Sequence, residues 1–253
     1  MFLRDVHAET STRVLRQLVR DNPLGVLTTA IRSPSAPLLL VSHIPFLLDV
    51  QDEESEEERG VLRGHIARQN PQSKVLIEAA KASPTPDVLE EEVLVLFTAS
   101  AHHYITPGFY TETKPATGKV APTWNYAAVQ AYGRAKIYWD HKSDEAVAFL
   151  SKQTSELSAH AESSIMGYTG TDDRKEPWKV SDAPKRYVEL LQKAIIGIEI
   201  QIDRLEGKFK MSQEMSVNDR QGVINGLVAL DTETGHTVSE MVKERSHLKE
   251  ARS

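Results

Sequence analysis

Residues 194–206 read AIIGIEIQIDRLE, and the alternation in that stretch constrains the fold more than any other part of the chain. In an extended backbone Ile196, Ile198, Ile200 and Ile202 point to one face, and Glu199, Gln201 and Asp203 to the other. A strand with one dry and one wet face belongs in an antiparallel sheet covering a core. Strand-like runs at 24–31 (LGVLTTAI), 38–48, 60–67, 93–99 and 128–139 supply its partners. Helices are predicted over 10–21, capped by Thr10 or Ser11, over 71–82 from Pro71, over 143–157 from Ser143, over 184–193, and over 217–231 and 235–249 at the end. The stretches 52–58, 101–123 and 163–183 read as loops, the second broken by Pro107, Gly108, Pro115, Gly118 and Pro122. Neighbouring strands without a regular strand–helix alternation give an α+β class, an antiparallel sheet or barrel with helices packed outside.

Composition narrows the chemistry. The 253 residues suit one large domain or a domain with an appendage, and the absence of Cys excludes disulfides, iron–sulfur clusters and a thiol nucleophile. Lys and Arg total 30 against 36 Asp and Glu. Six of those acids sit in the run DEESEEE at 52–58, so without it the balance is 30 against 30. Nucleic-acid binders draw affinity from a basic excess, which this chain lacks, so DNA as a partner gains nothing from charge. The longest apolar stretch, 37–50, is too short to span a bilayer and contains His43. With no leader-like N-terminus, the expected location is the cytoplasm, the nucleus remaining open, with no membrane partner. The chain carries no GxGxxG, GxxxxGK[ST], GxSxG or HExxH, and its nine His show no ligand-pair spacing, so no metal site is expected.

Three stretches carry chemistry. In LRGHIARQNPQSK (62–74), a strand bearing Arg63, His65 and Arg68 runs into Asn70-Pro71, where a helix begins. Free N–H groups at a helix start, flanked by Arg68 and Lys74 with Asn70, Gln72 and Ser73 alongside, suit a phosphate monoester. The same residues equally suit a plain N-cap whose cations pair with nearby acids. In PTWNY (122–126), Trp124 and Tyr126 flank Asn125, an arrangement fit for a planar heterocycle or for a simple anchor of the preceding loop. In KFKMSQ (208–213), Lys208, Lys210 and Gln213 leave the end of the isoleucine strand.

Taken together, HAETSTRVLRQLVRDNPLGVLTT (7–29), SHIPFLL (42–48), LRGHIARQNPQSK (62–74), FTASAHHYITPGFY (97–110), APTWNYAAVQAYG (121–133), IIGIEIQIDRLEGKFKMSQ (195–213) and NDRQGVINGL (218–227) resemble the PaiB-like family of FMN-binding negative transcriptional regulators. The resemblance implies a flavin-reductase-like split β-barrel related to pyridoxine-phosphate oxidases, with peripheral helices, and a homodimer holding FMN. It implies an FMN-binding domain over 1–231, with 232–253 a charged C-terminal helix or tail. It places the FMN phosphate at Arg68, Asn70, Gln72 and Lys74. The ring would lie against Ser42 and His43, with His65, Trp124 and Asn125 nearby and Lys210 and Gln213 closing the pocket. Two positions depart from the family pattern: Gln213 is followed by Glu214 and Met215 where Asn-x-Arg is usual, and Ser73 replaces an aromatic. The implied function is FMN-dependent negative regulation; the alternative is an FMN-dependent oxidoreductase acting on a small molecule, with His43 or His65 as acid or base. No catalytic residue stands out.

Overall fold

The computed structural model describes residues 1–251; the last two positions of the expected 232–253 tail lie outside the described residues. The strands are β1 (Ala8–Glu9), β2 (Leu24–Ala30), β3 (Leu39–Pro45), β4 (Leu47–Asp49), β5 (Val61–Ala67), β6 (Val93–Thr98), β7 (His103–Ile105), β8 (Thr123–Tyr138) and β9 (Ile195–Lys210). The helices are α1 (Thr12–Asp21), α2 (Pro71–Ala82), α3 (Thr113–Thr117), α4 (Asp144–His160), α5 (Lys185–Lys193), α6 (Val217–Val228) and α7 (Glu233–Ala251). The chain divides into two compact units, one of Met1–Asn22, Phe97–Gln130 and Glu206–Ser253, the other of Pro23–Leu96 and Ala131–Leu205.

The second unit holds the barrel. Its strand order is β3-β2-β6-β8-β9-β5-β4, and the pairs β2–β3, β2–β6, β4–β5 and β5–β9 are antiparallel. The two ends of that order, β3 and β4, are successive in the chain and separated only by Phe46. A sheet whose first and last strands are joined by one residue must curl back on itself, which makes this an α+β split barrel. The predicted single strand 38–48 is therefore two strands. Its break follows Pro45, which lacks an N–H, and there the Phe46 N–H turns to donate to the Pro23 carbonyl at 2.8 Å.

The isoleucines of β9 face inward as their alternation predicts. Ile196, Ile198 and Ile200 are fully buried and pair with Ile66, Gly64 and Leu62 of β5. Each such side chain contributes about 1.5–3 kcal/mol when fully buried. Gly64 leaves room for the Phe46 ring, whose carbons lie 2.9 Å from where a β-carbon would stand. At Gly133 in β8 a β-carbon would lie 2.0 Å from the Gln201 carbonyl oxygen of β9. On the outer face of β5, buried Arg63 donates through Nη2 to Asp49 at 2.8 Å and through Nη1 to Gln153 at 3.1 Å, and it pairs with Glu156. That network pins α4 over β5.

In the first unit, β1 pairs with β9 at Ala8–Lys208, and β7 pairs with β8. The predicted loop 101–123 contains β7, a 3₁₀ turn at Pro107–Phe109 and the short α3. Strand β8 begins at Thr123, so Trp124 and Asn125 lie in a strand opposite Tyr104 and His103 rather than at the end of a loop. Ser11 caps α1 by accepting the Val14 N–H. Helix α7 packs on α6 and buries Val238 and Val242. No helix among the described residues is long and apolar enough to cross a membrane.

Gly133→Ala drives its methyl group into the β9 backbone and is expected to cost about 1–3 kcal/mol. A urea midpoint equal to wild type would contradict the close approach of β8 and β9.

Candidate functional site

The turn from β5 into α2 is built by three amide and hydroxyl side chains. Asn70 is the N-cap: its Oδ1 accepts the Gln72 N–H at 2.8 Å, and its Nδ2 donates to the Ser42 hydroxyl of β3 at 3.1 Å. Gln72 is buried, and its Nε2 donates to the Leu40 carbonyl at 3.1 Å and the Thr29 hydroxyl at 3.0 Å. Its Oε1 is buried with no hydrogen-bond partner. Ser73, wholly buried, donates to the Ala67 carbonyl at 2.7 Å. An aromatic ring at that position would displace this hydroxyl from its buried seat, which accounts for the small residue. Lys74 is exposed on the first turn.

Arg68 goes elsewhere. Its Nε donates to the Lys193 carbonyl at 3.2 Å, and its Nη2 to the carbonyls of Ile195 at 3.4 Å and Trp139. The guanidinium thus ties the end of β8 to the start of β9, and only its Nη1 remains outside these bonds. The structure brings Ser42, Asn70 and Gln72 to one sheet edge and turns Arg68 to another. His43 is exposed on the outer face of β3, opposite Val26. His65 lies on the outer face of β5; burial holds its imidazole below the ordinary value, and its Nδ1 is buried without a partner.

Within the first unit a second polar cluster closes the turn after β9. Asn125, fully buried, donates to the Ser212 hydroxyl at 3.0 Å. Ser212 has a φ of 61°, a left-handed conformation that a non-glycine residue holds only when its surroundings fix it. Gln213 accepts the Met211 N–H at 2.6 Å and donates back to the Phe209 carbonyl. Lys210 donates to the Trp124 carbonyl at 2.9 Å and to the Thr123 hydroxyl. Burial holds its ammonium below the usual lysine value, with Glu214 opposing that shift. Burial also raises Glu214, but the His7 hydrogen bond at 2.9 Å, its own backbone N–H and the nearby Lys210 together outweigh it, and the carboxyl titrates below its usual range. Glu214 therefore faces a histidine in this structure. Trp124 is 54% exposed and stands beside the rings of His102 and Tyr104 at 5.8 and 6.2 Å.

Sequence reasoning missed the ion pair of Glu9 with Arg245, both buried. Glu9 also accepts the N–H groups of Thr10 and Ser11 at 2.8 and 2.9 Å, while Arg245 stacks on Phe209 at 3.8 Å. Their separation of 236 residues left no local signal.

The family model described as "Putative FMN-binding domain" matches residues 1–204. The chain belongs to this FMN-binding family. Its cofactor is FMN. An uncharacterized protein of Aspergillus fumigatus is 56% identical over 99% of both chains. The protease synthase and sporulation protein PAI 2 of Bacillus subtilis is 24% identical over 97% of this chain and 98% of its own. Among solved structures, the FAD and heme binding protein of Mycobacterium smegmatis aligns with a TM-score of 0.45 at 14% identity, over 81% of this chain and 73% of that one. At the start of α2 exposed Lys74 is the group suited to a phosphate ester, whereas the Asn70 and Gln72 amide N–H groups are already donated to Ser42, Leu40 and Thr29.

Burial raises the Glu9 carboxyl, but the Ser11 N–H and Arg245 outweigh it, so it titrates below 4.5 in the folded state. A depressed carboxylate adds stability above its unfolded value and loses it as pH falls through the folded one. Glu9→Gln is expected to cost about 3–5 kcal/mol at pH 7 by leaving Arg245 buried and unpaired. It should also flatten the decline in stability below pH 4.5. Parallel acid profiles for the two proteins would rule out the assignment.

Proposed function

We propose that this chain is an FMN-binding flavoprotein of the PaiB-like type. The phosphate sits at the Asn70–Lys74 turn and the ring lies toward Ser42 and His43. The observation that carries this reading is the Asn70–Ser42 hydrogen bond at 3.1 Å, which joins the start of α2 to the strand bearing Ser42 and His43. In it, Lys74 and the remaining Nη1 of Arg68 supply charge, and Asn70 orients the turn. FMN supplies hydride and electron chemistry when bound, and these groups position it. Asn125, Lys210 and Gln213 are read as the braces of the Ser212 turn, with His65 assigned separately.

Two copies forming a homodimer belong to the same reading. The outer face of β2 and β3 carries Leu24, Leu39 and Val41 at 59%, 63% and 56% exposure, with Ala30 opposite Leu39 and Pro45 opposite Leu24. An apolar sheet face of this kind needs cover, and an isologous contact with a second copy provides it.

The family resemblance carries negative regulation as the role. The charge favours the second reading, an FMN-dependent oxidoreductase, because 30 cations against 36 acids give no general attraction to phosphates. Retardation of promoter fragments that persists at moderate salt would select the regulator. Oxidation of a nicotinamide donor by the FMN-loaded protein, without such retardation, would select the enzyme.

Lys74→Ala is expected to weaken FMN about three- to tenfold, as suits an exposed charge, and to leave riboflavin, which lacks the phosphate, unchanged. Equal losses for both flavins, or none, would remove the phosphate from this turn. Val41→Glu is expected to give a monomer by sedimentation; a dimer that persists would move the interface to another face.

A further inference from the structure

On the outer face of β5 and β9, beneath α4 and α5, lies a cavity of about 640 Å³. Pockets of about 300–1,000 Å³ hold small molecules. Its wall is largely apolar and includes Leu157, Ile165, Trp178, Leu191 and Ile195. Among the described residues no Asp, Glu, Lys or Arg lines it. Its polar groups besides His65 include His160, Gln192, Tyr187 and the hydroxyls of Thr154 and Ser158, so a charged ligand finds no carboxylate, ammonium or guanidinium to offset its desolvation.

His65 also lines this space. Its Nδ1 is sealed against the protein without a partner, so Nε2 is the nitrogen left to serve a ligand. A neutral imidazole carries one proton, and an orphaned N–H is the rarer of the two buried defects, which places the proton on Nε2 as a donor. The chain reaches this arrangement because β5 alternates: Leu62, Gly64 and Ile66 fill the barrel, while Arg63 and His65 face α4. Arg63 is consumed by Asp49, Gln153 and Glu156.

We propose that this cavity binds a small, uncharged, largely apolar molecule that presents one hydrogen-bond acceptor, such as a carbonyl, to His65. The site depends on neither the flavin assignment nor the exposed face of β2 and β3.

The probe is the naphthyl ketone prodan, compared with 2-dimethylaminonaphthalene, which has the same ring and no carbonyl, by calorimetric titration of the full chain. Wild type is expected to bind one prodan per chain and to prefer it over the ketone-free ring about three- to tenfold. His65→Phe should abolish the preference while still binding both rings. Ser158→Trp and Ala161→Trp, which fill the space from the end of α4 and the turn beyond it, should each weaken prodan about tenfold or more with thermal melts kept near wild type. Val41→Glu, on the separate sheet face, should leave it unchanged. Binding that survives both tryptophans in folded protein, or that is lost in Val41→Glu, would overturn the proposal, as would absence of binding to wild type. A preference for the ketone that persists in His65→Phe would overturn the role of the imidazole.

Discussion

The closure of the sheet in the barrel unit rests on a single backbone approach, the passage of β8 against β9 at Gly133. The β9 carbonyl of Gln201 occupies the place where any β-carbon would stand. With β8 seated there, β9 can bury its isoleucines against β5, and the strand order can return from β4 to β3 across Phe46. That return places the edge of β3 beside the start of α2. The Asn70–Ser42 bond and the three acceptors of the Gln72 amide follow from it.

The turn from β5 into α2 shows how a single stretch divides its labour. Residues 68–74 read as one polar group along the chain, but β5 ends at Ala67, and the following side chains leave in different directions. Arg68 runs to the end of β8 and the start of β9, where it donates to three backbone carbonyls. Asn70 and Gln72 run to β2 and β3. An arginine that satisfies backbone carbonyls has a structural duty, and one nitrogen is left for any ligand. Lys74 therefore carries more of the proposed phosphate contact than charge counting along the sequence suggests.

Burial and pairing set the electrostatics of both units. Arg63 is held by two carboxylates and an amide, and Glu9 by Arg245 and two N–H groups. Glu214, which along the sequence looks hostile to an anion, is hydrogen-bonded to His7. A carboxylate's influence depends on the hydrogen-bond partner that folding brings to it, and that partner is 207 residues away.

Local pattern sufficed for much of the fold. The isoleucine alternation, the Ser11, Asn70 and Ser143 caps, the acidic loop after β4 and the α+β class follow from periods and capping chemistry acting over a few residues. The motif set identified the FMN family, because several specific stretches occur in the family's order. The division of 38–48 at Pro45, the strand character of Trp124 and Asn125, and the helix and strand within 101–123 needed the tertiary structure. Each depends on a hydrogen-bond partner distant in the chain: Pro23 for Phe46 and β7 for β8. The direction of Arg68, the partner of Glu214 and the apolar cavity beside His65 were likewise decided by packing. A sequence fixes which groups a side chain carries, but only the assembled sheet fixes which acceptors and which walls those groups meet.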